Sequence, residues 1–373
     1  MERSTIKIGI LTSSRADFGI YQPLIKALKK DARFEVELIV FGTHLSPYHG
    51  LTLQLVEKEG LPIHKVYGMS LSDAPQAIAN AYGLTVSNFS QFWANHSFDW
   101  VFALGDRFEM AAAVQAGIPQ RVRFAHFHGG ETTLGAIDNI YRHQISLASD
   151  LHFVATPAFA QRVEALVETK QNIHWVGALS LSTIDNLQLP DWQKVQKQFH
   201  LTTDDFILVT FHPETIAFEK NEGYSKVAAN TLLRLSKDYD VIITMPNADT
   251  AGSLFRHQFQ KIAVQQPERI FLIENFGRLN YFAAAKQSKF LLGNTSSGII
   301  EAASFGKYVI NVGDRQKGRP QSDNTFSTPF QEQEILHTIT NLPRDLAFKG
   351  TNIYFKSNCL ETIIDQLIHA KYK

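Results

Sequence analysis

Short apolar runs alternate with longer stretches of helical period along almost the whole chain. In the first half the runs Lys7–Thr12, Glu35–Phe41, Trp100–Leu104, Phe124–Phe127, Leu151–Ala155 and His174–Val176 read as strands. Between them, Gly19–Lys30, Thr52–Glu59, a segment within Ser72–Asn95, Glu109–Ala116, Ile137–Ala148 and Pro157–Val167 carry helical patterns. After Gly177 the series restarts with Phe206–Phe211, Val241–Met245, Ile270–Ile273, Phe290–Leu292 and Tyr308–Val312. Strand, helix, strand repeated in this way predicts an α/β fold with parallel sheets and right-handed crossovers. Two series predict two Rossmann-like domains, 1–186 and 187–373, joined near Asp185–Trp192. A closing helix over Tyr354–Ala370 is placed to pack back on the first domain.

Composition narrows the class. At 373 residues the chain exceeds one ordinary core, and 44% apolar with 19% charged residues describes a globular protein. Lys+Arg and Asp+Glu are both 36, so no basic field favours nucleic acid or an acidic membrane. Cys359 is the single cysteine, which excludes an internal disulfide. Met1–Ile10 lacks a signal-peptide pattern and no apolar run reaches about 18 residues. The expected location is the cytoplasm, with no membrane and no nucleic-acid partner.

In open α/β sheets, ligands bind outside the carboxyl ends of the strands, and these ends are polar here. Ser13, Ser14, Arg15 and Asp17 follow the first strand, Thr43 and His44 the second, Asp106 and Arg107 the third. His128, Gly129, Gly130 and Glu131 follow the fourth, with Asp138, Arg142 and His143 on the next helix. In the second half come His212 and Glu214, then Asn247 and Asp249, and finally Asp314, Arg315, Lys317 and Arg319. Such clustering of acids, bases and glycines at strand ends predicts an enzyme.

Residues 293–301, GNTSSGIIE, lie between a strand and a helix that the pattern extends to Phe305. A helix start offers unpaired N–H groups to an anion, and Gly293 and Gly298 would let a ligand approach the backbone. Asn294, Thr295, Ser296 and Ser297 add polar donors, and Glu301 suits a sugar diol; a simple Ser/Thr cap is the alternative. Residues 125–143, AHFHGGETTLGAIDNIYRH, bring His128, Glu131 and Asp138 within reach of one pocket for acid/base chemistry on a sugar carbon. Alternatively His126 and His143 are buried structural residues, or His126, His128 and Glu131 hold a metal, since residues two apart on a strand share a face. Asp106 is a candidate acid/base or a helix cap, and DRQKGR at 314–319 a diphosphate clamp or a solvated charge run. His212 is a phosphate donor or an acid/base. There is no GxGxxG after the first strand and no GxxxxGK[ST], which argues against a dinucleotide or ATP.

These residues carry a resemblance. SSRADFGIYQPL, GTHLS (42–46), LGDRFEMAAA (104–113), HGGETTLGAIDNIYRH (128–143), FHPET (211–215), PNAD (246–249), GNTSSGIIEAASFGK (293–307) and NVGDRQKGR (311–319) occur in family order. The chain resembles the hydrolysing UDP-N-acetylglucosamine 2-epimerases of nonulosonic (sialic and legionaminic) acid biosynthesis. The resemblance implies a GT-B fold, whose two domains face an interdomain cleft, and a nucleotide-sugar substrate. It also implies no metal, no NAD or other cofactor, and a homodimer or homotetramer. It implies acid/base roles for Asp106 and Asp138, and phosphate or proton contacts for Arg15 and His212. Ser296, Ser297, Arg315 and Arg319 would hold the diphosphate and Glu301 the ribose, with His44 near the nucleotide. Family members often read HIEGGE where this chain has HFHGGE, so either Glu131 is the base or His128 replaces the missing carboxylate. The same form resembles members acting on 4-amino-4,6-dideoxy sugars, which leaves the sugar, and UDP against GDP, open.

Overall fold

A computed structural model describes residues 5–46, 52–68, 75–132, 137–214, 218–246 and 252–371. The chain divides into two compact units. One comprises the residues up to Glu131, Asp138–Thr183 and everything from Tyr354 onward; the other comprises Ile184–Ile353 together with Thr132 and Ile137. Asn247, Asp249, Thr215 and residues 133–136, all within the motifs above, lie outside the described residues.

In the first unit seven strands form one parallel sheet: β1 (Ile6–Thr12), β2 (Phe34–Val40), β3 (Ile63–Lys65), β4 (Trp100–Leu104), β5 (Phe124–Phe127), β6 (Leu151–Val154) and β7 (Ile173–Trp175). Their order is β3-β2-β1-β4-β5-β6-β7. The helices are α1 (Arg15–Lys30), α2 (Leu53–Glu57), α3 (Pro75–Asn95), α4 (Phe108–Gly117), α5 (Asp138–Leu147) and α6 (Pro157–Val167). Parallel strands buried on both faces read as continuous apolar runs, as in β4, where all five side chains are buried. Ile8 and Ile10 of β1 pack with Leu24, Ile25 and Leu28 of α1 and with Ile363 and Leu367 of the C-terminal helix, Cys359–Lys371. On the opposite face, Leu11 and Ile39 meet Phe89 and Trp93 of α3 and Met110 of α4. Helix α1 starts at Arg15 rather than Gly19, because Ser14 and Asp17 close a reciprocal capping box.

The second unit repeats the plan with β8 (Phe206–Thr210), β9 (Asp240–Thr244), β10 (Ile270–Ile273), β11 (Leu291–Gly293), β12 (Val309–Val312) and β13 (Thr325–Thr328). The order is β10-β9-β8-β11-β12-β13, again all parallel. Helices α7 (Trp192–Phe199), α8 (Asn221–Leu235), α9 (Gly252–Gln265), α10 (Arg278–Gln287), α11 (Ser296–Ile300) and α12 (Glu332–Thr340) complete it. The expected helix to Phe305 is broken. Helix α11 has five residues, and Ala302–Phe305 forms a separate 3-10 turn after Glu301, whose φ of −107° widens the helical backbone at the junction. Among the described residues no helix is long and apolar enough to cross a membrane.

Strand order reverses between β1 and β4 in one unit and between β8 and β11 in the other. Such switch points open a crevice at the strand ends. The candidate residues gather there.

Candidate active site

Past the end of β4, Gly105 and Asp106 meet the residues that follow β5. His126 is buried, with Nε2 2.9 Å from the Gly105 carbonyl and Nδ1 2.9 Å from Ser146 Oγ. A carbonyl accepts only from N–H, so Nε2 carries the proton and Nδ1 accepts from the hydroxyl. Burial pushes the ring's pKa down to about 3. Both nitrogens are thus engaged, which removes His126 from the metal alternative. The shared-face argument fails as well, because His128 lies beyond β5 with φ 63°.

That left-handed backbone aims His128 at Glu131. Its Nε2 accepts the Leu179 N–H at 3.4 Å, so Nδ1 is protonated and donates to Glu131 Oε1 at 2.6 Å. With its Nε2 lone pair facing the Leu179 N–H and its Nδ1–H on Glu131, His128 holds the Glu131 carboxylate in place. Gly130, at φ 74°, is required here: a Cβ would lie 2.4 Å from the Phe159 carbonyl.

The centre of the cluster is Arg142 on α5, 2% exposed. Its Nη2 donates to Asp106 Oδ2, its Nη1 to the His128 carbonyl at 2.8 Å, and Nη1 lies 3.6 Å from Glu131 Oε2. One buried guanidinium therefore bridges two carboxylates. The Asp106 side chain is 27% exposed, and among the described residues its Oδ1 has no partner; Glu131 is buried with its oxygens engaged. Asp106 is the acid of this cluster left open to a ligand. Asp138, half-buried, opens α5 one turn before Arg142 and on the same face. By sequence position Arg142 is only a neighbour of Asp138; the available signal is that acids converging from two loops need a cation between them.

His152 on β6 sits opposite His126, and its Nδ1 is enclosed without a partner. Burial, then the charge of His174, brings its pKa down to about 4. Folding keeps both rings neutral, whereas the unfolded chain takes up protons near pH 6.5. Their contribution is complete above about pH 6.5 and is lost as pH falls toward 4, by up to about 1.4 kcal/mol per pH unit for each ring. Urea unfolding at pH 7, 6 and 5 should show this decline. His152→Asn should flatten the slope by about one proton; an unchanged slope would refute the assignment.

Around the end of β1, Arg15 is exposed, and among the described residues its guanidinium has neither an ion-pair nor a hydrogen-bond partner. His44, expected near the nucleotide, is instead fully buried. Its Nε2 meets Thr12 Oγ1 at 3.0 Å and its Nδ1 meets Thr52 Oγ1 at 2.8 Å.

The second unit centres on Asn294, just past β11. The residue is fully buried: Oδ1 accepts from His212 N at 2.7 Å and Nδ2 donates to His212 O at 2.8 Å. Its carbonyl accepts from Arg315 Nη1 at 3.1 Å and Gln316 Nε2 at 2.9 Å. Asn294 is thus a clamp on the His212 backbone, not a surface donor, and Gln316 is a site residue the sequence did not single out. Burial, then the charge of Arg315, pushes the His212 ring down to about 3, so it is neutral at pH 7. The ring is half-buried while its Nδ1 is enclosed. Glu214 Oε1 accepts the Asp314 N–H at 3.0 Å and ties the 314–319 loop to the end of β8.

Ser296 and Ser297 are half-buried at the start of α11, whose Thr295 cap makes no side-chain bond. Ser297 Oγ donates to Glu301 Oε2. A five-residue helix has little dipole, so the polar character of this strand end comes from the hydroxyls and guanidinium groups around it. The two glycines serve packing: a Cβ on Gly293 would lie 1.9 Å from the Thr210 carbonyl, and one on Gly298 3.1 Å from Val309 Cγ1. Arg315 and Arg319 are half-buried on the loop after β12.

The family pattern described as UDP-N-acetylglucosamine 2-epimerase matches residues 26–368. The UDP-N,N'-diacetylbacillosamine 2-epimerase (hydrolyzing) of Legionella pneumophila is 32% identical over 93% of this chain and 92% of its own. The GDP/UDP-N,N'-diacetylbacillosamine 2-epimerase (hydrolyzing) of Campylobacter jejuni is 31% identical over 87% and 85%. UDP-GlcNAc 2-epimerase from Neisseria meningitidis, solved bound to UDP-GlcNAc, matches with a TM-score of 0.81 at 17% identity over 98% of this chain and 100% of that one. That likeness is one of fold, the GT-B arrangement of two Rossmann-like domains. On the family match across most of its length, and on relatives above 30% identity, the chain belongs to the UDP-N-acetylglucosamine 2-epimerase family and is an epimerase.

Proposed function

We propose that the protein eliminates UDP from a UDP-2-acetamido sugar, UDP-GlcNAc or UDP-N,N'-diacetylbacillosamine, and hydrates the glycal. The product is the free manno-configured sugar, used for nonulosonic (sialic or legionaminic) acid biosynthesis in the cytoplasm. The observation that carries the reading is Asp106: an ionisable carboxylate anchored by buried Arg142 with its second oxygen open.

A base takes the C2 proton while the C1–O bond to the diphosphate breaks, giving a C1–C2 double bond. Water then returns a hydroxyl to C1 and a proton to the opposite face of C2. Asp106 suits the proton abstraction, and Asp138 suits proton delivery from the first turn of α5. Glu131 and His128 hold Arg142 and, through it, Asp106. Because the C2 proton is weakly acidic, stabilising the departing diphosphate is part of the catalysis. Arg15, Ser296, Ser297, Arg315 and Arg319 supply that stabilisation, and Glu301, already oriented by Ser297, takes the ribose. Asn294 fixes His212, whose neutral ring suits proton exchange near the leaving oxygen. The reaction needs no cofactor in this scheme. The names of the Legionella and Campylobacter relatives support the hydrolysing course and the bacillosamine substrate. Ile140 and Leu147 expose one apolar stripe on α5, which suits a homo-oligomer.

NMR in deuterated water, with each UDP-sugar in turn, tests the reading. Free manno-configured sugar carrying deuterium at C2, with stoichiometric UDP, is expected. An accumulating UDP-linked 2-epimer without free sugar would replace hydrolysis by the reversible reaction. Sedimentation of the same sample should give a dimer or tetramer, and a monomer would remove that part.

A further inference from the structure

Asp17 is 5% exposed and lies two residues from Arg15, yet the role assigned to Arg15 gives it no task. It takes more hydrogen bonds than a helix cap needs. Oδ1 accepts from Thr12 Oγ1 at 2.7 Å and Ser14 N at 3.1 Å, and Oδ2 from Ser13 N and Ser13 Oγ, both at 2.9 Å. Thr12 has one hydroxyl proton, and Asp17 receives it. The Thr12–His44 contact therefore uses Nε2–H as donor, which leaves Nδ1 to accept from Thr52. A directed chain thus runs from Thr52 through His44 and Thr12 to the carboxylate. From the other side, the Ser13 carbonyl accepts both Thr43 N, at 2.8 Å, and Thr43 Oγ1, at 2.9 Å. Residues 12–14 are bolted on two sides, and the next side chain, Arg15, is the exposed guanidinium without a partner among the described residues.

We infer that Asp17, backed by Thr12 and His44, is a positioning residue that holds Arg15 ready for the diphosphate of the substrate. The inference rests on the proposed role of Arg15. A receptor held in its binding geometry loses less freedom when the anion arrives, so rigidity here appears as affinity. Only a carboxylate serves all four donors; a carboxamide would present its NH2 to groups that themselves donate.

The test is a double-mutant cycle on UDP affinity, measured by calorimetry for wild type, Arg15→Ala, Asp17→Asn and the double variant. Each single change is expected to weaken UDP about tenfold or more, and the double variant to bind within about twofold of Arg15→Ala. If Asp17→Asn binds like wild type, or the two losses multiply, Asp17 does not act through Arg15 and the inference falls while the functional reading stands. If wild type binds no UDP, or Arg15→Ala binds as wild type does, the role of Arg15 falls and takes the inference with it. Thr12→Val keeps the branched shape and removes one donor, so it serves should Asp17→Asn fold poorly. It is expected to weaken UDP severalfold in the Arg15 background and not at all with Arg15→Ala; equal losses in both backgrounds would overturn the coupling.

Discussion

Asp106→Asn is expected to lower kcat by about 10²–10⁴-fold, the range for losing a positioned general base, with UDP affinity within about threefold of wild type. The carboxamide is the same size and can still accept from Arg142, but it cannot take a proton from C2. Its side chain is 27% exposed, so Arg142 loses a partly solvated partner and keeps Glu131 Oε2 at 3.6 Å. The stability cost should be about 1–2 kcal/mol, below that of breaking a fully buried pair. Glu131→Gln supplies the comparison. It also removes a charge from Arg142, but from a buried acid that His128 already occupies. If Asp106 carries the proton, Asp106→Asn abolishes deuterium exchange at C2, while Glu131→Gln slows it without abolishing it. Turnover above about a tenth of wild type in Asp106→Asn would move the base to Asp138 or Glu131.

The way these groups converge explains what the sequence could and could not reveal. Strands buried on both faces leave apolar runs, so β4 was legible to the residue, and so was β5 although His126 interrupts it. The edge strands β3 (IHK) and β13 (TFST) escaped because they are short, polar and half-exposed, whereas the edge strand β10 (IFLI) is apolar and was read to the residue. The extension of α11 to Phe305 failed because the hydrogen bonding tightens past Glu301, where Ser304 N bonds the Glu301 carbonyl three residues back at 3.0 Å. Within the sites, the gathering of polar residues at strand ends was legible; which lone pair is already engaged was not. His44 and Asn294 look like ligand contacts by residue type and position, yet both are fully buried with their polar atoms bonded to the protein. Arg142 and Gln316 gain their meaning only when separate loops meet.

Gly293→Ala and Gly298→Ala, five residues apart in one motif, are expected to have opposite outcomes. Gly293 sits at φ 145°, paired with Thr210 of β8, and a methyl there would lie 1.9 Å from the Thr210 carbonyl oxygen and 2.6 Å from its carbon. Those are backbone atoms of a central strand and cannot turn aside. Accommodation requires β8 and β11 to separate, which breaks the Asn294 N–H bond to Thr210 O at 3.1 Å and carries the clamp away from His212. A loss of more than about 4 kcal/mol in the second unit is expected, with little folded protein recovered. At Gly298 the backbone is helical, and the nearest atom is Val309 Cγ1 at 3.1 Å, a methyl that can move by tenths of an ångström. Alanine also favours the helix by about 1 kcal/mol, so stability should change by less than about 1 kcal/mol. Thermal unfolding of both variants decides the first point: Gly293→Ala melting within a few degrees of wild type would contradict it. UDP calorimetry on Gly298→Ala decides the second, because packing against Val309 predicts nearly unchanged affinity. A well-folded Gly298→Ala that no longer binds UDP would instead mean that the ligand presses against the backbone at this glycine.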